Sequence, residues 1–318
     1  MIELSEFLQA KRRIRPYARY TPLIHSDYLS ELTGGDIWFK LENQQPTGSF
    51  KVRGALNKIS QLSDAEKARG IVTASAGNHA LGVAHAATSF GLEQVDIFVP
   101  ETAPEAKLKK LRRFPVNLHL AGQTYEAAHQ AADEFKARTG ATEVAAYDDR
   151  DVITGQGTIG VEIMTNLPAA DLVLVPVGGG GLISGVETAV RHIKPSCRII
   201  GVQPEASPAA QLSFAQNRAI DPYDHAPTIA DGLAGGFGAL PFKLLQAKPP
   251  EIVLVSEAQI RQAILALLAE HQLVIEPSGA TVIAPLLAGS VAVAGKTAVC
   301  ILTGGNLALD LLREVVSR

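Results

Sequence analysis

Six consecutive residues, Leu172-Val173-Leu174-Val175-Pro176-Val177, carry no polar side chain. A strand with one wet face alternates apolar and polar residues, so an unbroken apolar run points to a strand covered on both sides. Gly178, Gly179, Gly180 and Gly181 follow at once, and helical spacing resumes over residues 182–192. A buried strand feeding a helix through a tight loop is half of a parallel crossover unit. The same alternation recurs along the chain. Short apolar runs at 71–74, 95–99, 116–120, 198–202, 252–255 and 297–302 are separated by segments of helical spacing. The expected fold is therefore α/β, with mostly parallel sheets and helices on both faces. Binding sites in such folds lie beyond the carboxyl ends of the strands.

Local signals set the element ends. Ser63 with Glu66, and Ser256 with Gln259, have the spacing of capping boxes. Gly70 and Gly91 read as helix stops, and Pro104 suits a first helical turn. Gly155-Gln156-Gly157-Thr158 reads as the opening of a helix, residues 143–147 as a further strand, and residues 221–250 as loops. With 318 residues the chain can bury a sizeable core and divide into two lobes. The alternation assigns residues 68–148 to a small mobile domain and residues 1–67 with 149–318 to a larger one.

The net charge of −3 gives no reason to expect nucleic acid or an anionic membrane as a partner. The start, Met1-Ile2-Glu3-Leu4-Ser5, lacks the basic-then-apolar pattern of a secretory signal, and no apolar run has bilayer length. Cys197 and Cys300 sit in apolar runs as core thiols, and no Cys/His cluster has zinc spacing. A cytoplasmic protein is expected.

Four loops carry polar chemistry at strand ends. The glycines at 178–181 let backbone N–H groups approach an anion at a helix N-terminus, which fits a phosphate. The dinucleotide pattern G-x-G-x-x-G fails, because Ser184 stands at its third position, and no Walker lysine follows. Gln44-Gln45-Pro46-Thr47-Gly48-Ser49-Phe50-Lys51 precedes a helix, with Ser49 as its cap and Lys51 in its first turn. The positive helix end disfavours an ammonium ion there, and a neutral amine is what Schiff-base chemistry needs. In Ser75-Ala76-Gly77-Asn78-His79 a serine and free N–H groups suit a carboxylate. Thr303-Gly304-Gly305-Asn306 can turn a hydroxyl into a cleft. A reactive amine, a phosphate cradle and a carboxylate cradle at one sheet edge suit pyridoxal phosphate acting on an amino acid.

These motifs, with Gly155-Gln156-Gly157-Thr158 and Ala230-Asp231-Gly232, occur in the order seen in fold-type II pyridoxal-phosphate enzymes, and the chain most resembles the threonine/serine dehydratase and serine racemase branch. The resemblance implies that Lys51 forms the Schiff base and serves as the catalytic base. It implies that Phe50 packs on the cofactor ring, Asn78 bonds the ring hydroxyl, Gly178, Gly179, Gly180 and Gly181 hold the phosphate, and Thr303 meets the pyridine nitrogen. Ser75, Gly77, Asn78 and His79 would receive the substrate carboxylate. The expected reaction is β-elimination from a 3-hydroxy amino acid, L-threonine or L-serine, to a 2-oxo acid and ammonia, in a homodimer. A neutral hydroxyl at the pyridine nitrogen makes a weaker electron sink, which loss of a β-hydroxyl tolerates.

Some positions depart from the family pattern. Ala76 stands where racemases carry a second acid/base serine, which favours dehydration. Gln203, Ser207 and Ala209 stand where metal ligands would be expected, so no metal is assigned. Leu81 replaces a common glutamine, and Gly235-Gly236 follow Ala230-Asp231-Gly232; both leave room for 3-hydroxyaspartate or a bulkier substrate. Ala145-Ala146 replace a commoner His-Pro. The chain ends soon after its last helical segment, so isoleucine inhibition is not expected. Rival readings are serine racemization, β-replacement on the same fold, a nicotinamide oxidoreductase with Glu205 as ribose acid, and a non-catalytic phosphate sensor.

Overall fold

The computed structural model describes residues 2–317. Two sheets organise it. The larger contains β1 (Leu23–His25), β2 (Asp36–Lys40), β7 (Leu172–Pro176), β8 (Arg198–Pro204), β9 (Glu251–Val255) and β10 (Thr297–Ile301), in the order β1-β2-β10-β7-β8-β9. Only the β1–β2 pair is antiparallel. The smaller sheet is wholly parallel, with β3 (Ile71–Ala74), β4 (Val95–Val99), β5 (Asn117–Leu120) and β6 (Thr142–Glu143) in the order β5-β4-β3-β6. All five residues of β7 are buried, as its apolar run requires. Three neighbouring strands, β2, β10 and β7, send the Lys51 loop, the Thr303 loop and the glycine loop off the same sheet edge.

Both capping boxes form, and Gly70 ends the Asp64–Arg69 helix with φ of 81°. Other expectations need correction. Ser49 does not cap the Lys51–Ile59 helix. Phe50 holds the cap position in right-handed helical geometry without a side-chain bond. The chain is held here instead by a bridge from Ser49 to Gly304 and by the Phe50 N–H bonded to the Thr303 carbonyl at 3.0 Å. The segment at 143–147 leaves the sheet after Glu143. Its carbonyls serve other groups: Val144 O accepts from Thr73 Oγ1 and from His79, and Ala146 O accepts from Lys51. Within 221–250 there is a helix, Ala239–Leu245, whose first N–H groups are taken by the distant Asp148 carboxylate.

Gly155 and Gly157 do not open a helix either. They lie inside the Arg150–Asn166 helix, which Asp149 caps. Their role is close approach. A Cβ on Gly155 would stand 2.6 Å from the Arg53 carbonyl oxygen, and one on Gly157 would stand 2.6 Å from that of Gly185. A Cβ on Gly160 would meet Val186 O at 3.0 Å. The Arg150–Asn166 helix thus touches, backbone to backbone, both the Lys51–Ile59 helix and the Gly181–Ile193 helix that follows the glycine loop. Gly82 makes a similar contact: a Cβ there would lie 3.1 Å from the Lys51 carbonyl carbon, so the Asn78–Ser89 helix presses on the lysine's own backbone.

Cys197 and Cys300 are buried and free. Burial pushes the Cys197 thiol up to about 11 and raises that of Cys300 further. Among the described residues no helix is long and apolar enough to cross a membrane.

Candidate active site

Lys51 is the first residue of its helix, as the loop reading placed it. Its Nζ donates to the Ala146 carbonyl at 2.8 Å and lies 5.4 Å from the centre of the Phe50 ring. Protein encloses the amine, while the residue as a whole is half-buried. Burial pushes its pKa down to about 8. The direction is the expected one, and burial is its main cause: removal from water destabilises the ammonium ion, and no carboxylate partner restores it.

Ala146 is followed by Tyr147, which lies on the glycine loop. A Cβ on Gly179 would run into the Tyr147 ring, and one on Gly181 would lie 2.9 Å from Tyr147 Cα. Gly178 is hemmed in by Leu233 at 3.0 Å. Gly180 has φ of 93° and faces Phe237 and Pro241. No side chain fits at any of the four. The N–H groups of Gly178, Gly179, Gly180 and Gly181 have no hydrogen-bond partner among the described residues. Four unpaired donors at a helix start, on a loop that touches Tyr147, the neighbour of the residue whose carbonyl holds the Lys51 amine, suit an anion.

On the other side of the cleft, the Ser75 hydroxyl accepts from the Gly77 N–H at 3.2 Å, and nothing lies within 4 Å of a Cβ built on Gly77. That open space begins the Asn78–Ser89 helix, so its first N–H groups face the cleft. The His79 ring does not. Its Nε2 donates to Val144 O at 2.8 Å, its Nδ1 has no partner, and burial, with Lys51 nearby, lowers its pKa to about 3. The imidazole is neutral, and His79 offers the cleft only its backbone.

Asn78 donates from Nδ2 to Glu276 Oε1 at 2.7 Å and accepts at Oδ1 from Asn306 Nδ2 at 2.7 Å. Sequence reasoning missed Glu276. Burial, then the charge of Asp231, pushes its carboxyl up to about 7. Gly304 makes the room for it, since a Cβ there would overlap the Glu276 carboxylate. The available signal was one acid in the apolar stretch before Pro277. Thr303 is buried, and its carbonyl ties down Phe50. Phe50 packs against the core under the Gly181–Ile193 helix.

Behind Lys51 lies a dry ion cluster, also unforeseen. Arg53 donates from Nε and Nη2 to Glu42 at 2.7 and 2.8 Å, and from Nη1 and Nη2 to Glu162 at 2.8 and 2.9 Å. Lys40 adds a 2.6 Å bond to Glu162. Against its burial, Glu42 is held below the usual carboxylate range by Arg53, while Lys40 is lowered by burial. Two acids and two bases balance, and the guanidinium fork is filled on both sides.

The residues fit a phosphorylated aldehyde: an amine of depressed pKa, unpaired N–H donors for an anion, and an amide facing the same cleft. At the positions where a metal was considered, Gln203 Oε1 accepts from the Gln211 N–H at 3.2 Å and the Ser207 hydroxyl bonds Gly235. No group of three or more His, Cys, Asp or Glu gathers among the described residues.

The model of the family described as "Pyridoxal-phosphate dependent enzyme" matches residues 14–304. L-threonine ammonia-lyase of Thermotoga maritima is 43% identical over 100% of this chain and 79% of its own length. Among solved structures, the processed form of threonine deaminase isoform 2 from Solanum lycopersicum has a TM-score of 0.92 at 34% identity, covering 99% of this chain and 92% of its own. Maize serine racemase has a TM-score of 0.92 at 31% identity, covering 99% and 97%.

Proposed function

This chain belongs to the pyridoxal-phosphate-dependent enzymes, and we propose that it dehydrates and deaminates a 3-hydroxy amino acid, L-threonine first and L-serine second. The observation that carries the reading is the Lys51 amine, enclosed and pushed down to about 8, beside the unpaired N–H groups of the glycine loop. The identity to a threonine ammonia-lyase supports the substrate class.

Bound at Lys51, the cofactor would withdraw electrons from the substrate's Cα and so weaken its C–H bond. The chain's own residues supply the rest. Gly178, Gly179, Gly180 and Gly181 would hold the phosphate through backbone donors. The N–H groups of Asn78 and His79, with the Ser75 hydroxyl donating its hydrogen, would hold the substrate carboxylate at the helix start, in the open space beside Gly77. Asn78 would offer its second Nδ2 hydrogen to the ring oxygen, Thr303 would meet the pyridine nitrogen, and Phe50 would border the ring. Lys51, set free by the substrate amine, would take the Cα proton at Nζ, and its low pKa keeps that nitrogen able to accept. The β-hydroxyl would then leave as water, its proton balanced by the one taken from Cα, and a water returned in hydrolysis would give the 2-oxo acid and ammonia. Ala76 carries no proton donor or acceptor for the opposite face, which favours elimination over racemization. Residues 68–148 are assigned as the unit that closes on the rest, and the enzyme as a cytoplasmic homodimer.

Lys51→Ala tests the assignment. The wild type should be yellow, bleach with borohydride and release 2-oxo acid from threonine. The variant should lose all three. Wild-type turnover in purified Lys51→Ala would remove Lys51 as the base.

A further inference from the structure

Four side chains are linked in one direction across the boundary between the two sheet units. Lys110, on the Glu105–Leu111 helix, donates from Nζ to Asn306 Oδ1 at 2.9 Å. Asn306 Nδ2 donates to Asn78 Oδ1 at 2.7 Å and to the Thr47 carbonyl at 2.9 Å. Asn78 Nδ2 donates to Glu276 Oε1 at 2.7 Å. Lys110 and Asn78 stand on the unit built around β3 and β4, whereas Asn306 and Glu276 stand on the unit built around β10. Each of the three links therefore crosses the boundary. An ammonium ion can only donate, so Asn306 must turn its oxygen to Lys110 and its nitrogen to Asn78. Asn78 must then turn its oxygen to Asn306, which leaves its nitrogen facing Glu276 with one hydrogen to spare. Thr47 favours the same sense from within the larger unit. Lys110 is the member that makes it depend on the smaller one.

The same helix carries a second contact of another kind. Lys107 pairs with Asp231 at 2.8 Å, with both side chains open to solvent. Lys107 and Asp231 act on Glu276 only through charge, in opposite senses, and the exposed pair makes no hydrogen bond within the side-chain series. Lys110 is partly buried and touches an amide wedged against Gly48, where a Cβ would meet Asn306 at 3.0 Å.

We propose that Lys110 is a positioning residue for the reaction: seating its helix completes the chain from Lys110 through Asn306 and Asn78 to Glu276, and so aims the free Asn78 hydrogen at an acceptor on the bound cofactor. This rests on the reading above, in which a cofactor ring oxygen lies beside Asn78.

The test compares pyridoxal-phosphate-loaded wild type, Lys110→Met, Lys110→Arg and Lys107→Met by the pH dependence of the visible band without substrate, and by kcat and KM for threonine. Lys110→Met should shift the balance between the long- and short-wavelength forms and lower kcat about tenfold, ~1.4 kcal/mol, with KM within about twofold. Lys110→Arg keeps a donor and should restore the band and most of kcat. Lys107→Met should match the wild type in kcat and in the balance of the two forms at a fixed pH well above 7, where Glu276 is ionised in either chain. A wild-type band and kcat in Lys110→Met overturns the proposal, as does a Lys107→Met that behaves like Lys110→Met, which would mean a simple charge clasp. The band is read without substrate, so a chain with a normal band and no threonine turnover refutes the substrate reading while leaving the test of Lys110 intact. A wild type that forms no band refutes both.

Discussion

The depressed Lys51 pKa has a kinetic consequence that separates it from an ordinary lysine. With a pKa of about 8, about one amine in ten is neutral at pH 7, against about one in 2,500 for a solvated lysine near 10.4. Only the neutral amine attacks an aldehyde. When cofactor is added to the cofactor-free protein, the visible band should therefore appear about tenfold faster at pH 9 than at pH 7 and level off near pH 9. A lysine of ordinary pKa would instead show a rise of about a hundredfold over that interval with no plateau. Stopped-flow absorbance reads the rate, with a small primary amine as reference for the aldehyde's own pH dependence. The same shift affects stability. The folded pKa lies below the unfolded one, so between about 8 and 10.4 the unfolded chain holds more protons. The cofactor-free protein should gain stability as pH rises through that window. A hundredfold rate rise without a plateau would refute the claim that burial tunes this amine.

Three further outcomes follow from other contacts. Arg53→Met leaves Glu42 and Glu162 with only Lys40 as counter-charge in a dry site, which should cost about 3–5 kcal/mol and lower Tm by about 5–8 °C; adding Glu162→Gln should recover part of the loss, and a thermal melt in which the double variant is as unstable as the single would contradict the charge argument. Gly179→Ala puts a methyl into the Tyr147 ring, so cofactor Kd by titration should rise about tenfold or more, ~1.4 kcal/mol, and unchanged affinity would show that the loop is not the anion cradle. Glu276 has a folded pKa of about 7, above its unfolded value of 4.5, so the stability of its protonated form is complete below 4.5 and lost as pH rises from there to about 7; Glu276→Gln should melt a few degrees higher than wild type at pH 8 and match it near pH 4, and equal melting points at both would refute the shift.

Much of this was legible in the chain because the signals are local. The apolar run before Gly178 could only be a strand covered on both faces, and β7 is one. Ser63 with Glu66 fixes a helix start from four residues. Lys51 could be placed at a helix start from its loop alone. What failed was whatever another segment supplies. Ser49 has the chemistry of a cap, yet Gly304 and Thr303 hold its strand end. Gly155 and Gly157 look like a helix opening in one dimension and become a packing surface inside the helix only when Gly185 and Arg53 arrive. Glu276 and Lys110 sit in unremarkable local sequence, and their meaning lies in Asn78 and Asn306, far away along the chain.

Those glycine contacts set a length. The helix bearing the amine and the helix that follows the glycine loop both rest, backbone on backbone, on the one spanning Arg150–Asn166. The span from Lys51 to the glycine loop is thus gauged by main chain, which no side-chain substitution nearby can lengthen. Substitutions off that frame would change which amino acid enters, while the main-chain spacing between the lysine and the glycine loop would stay the same.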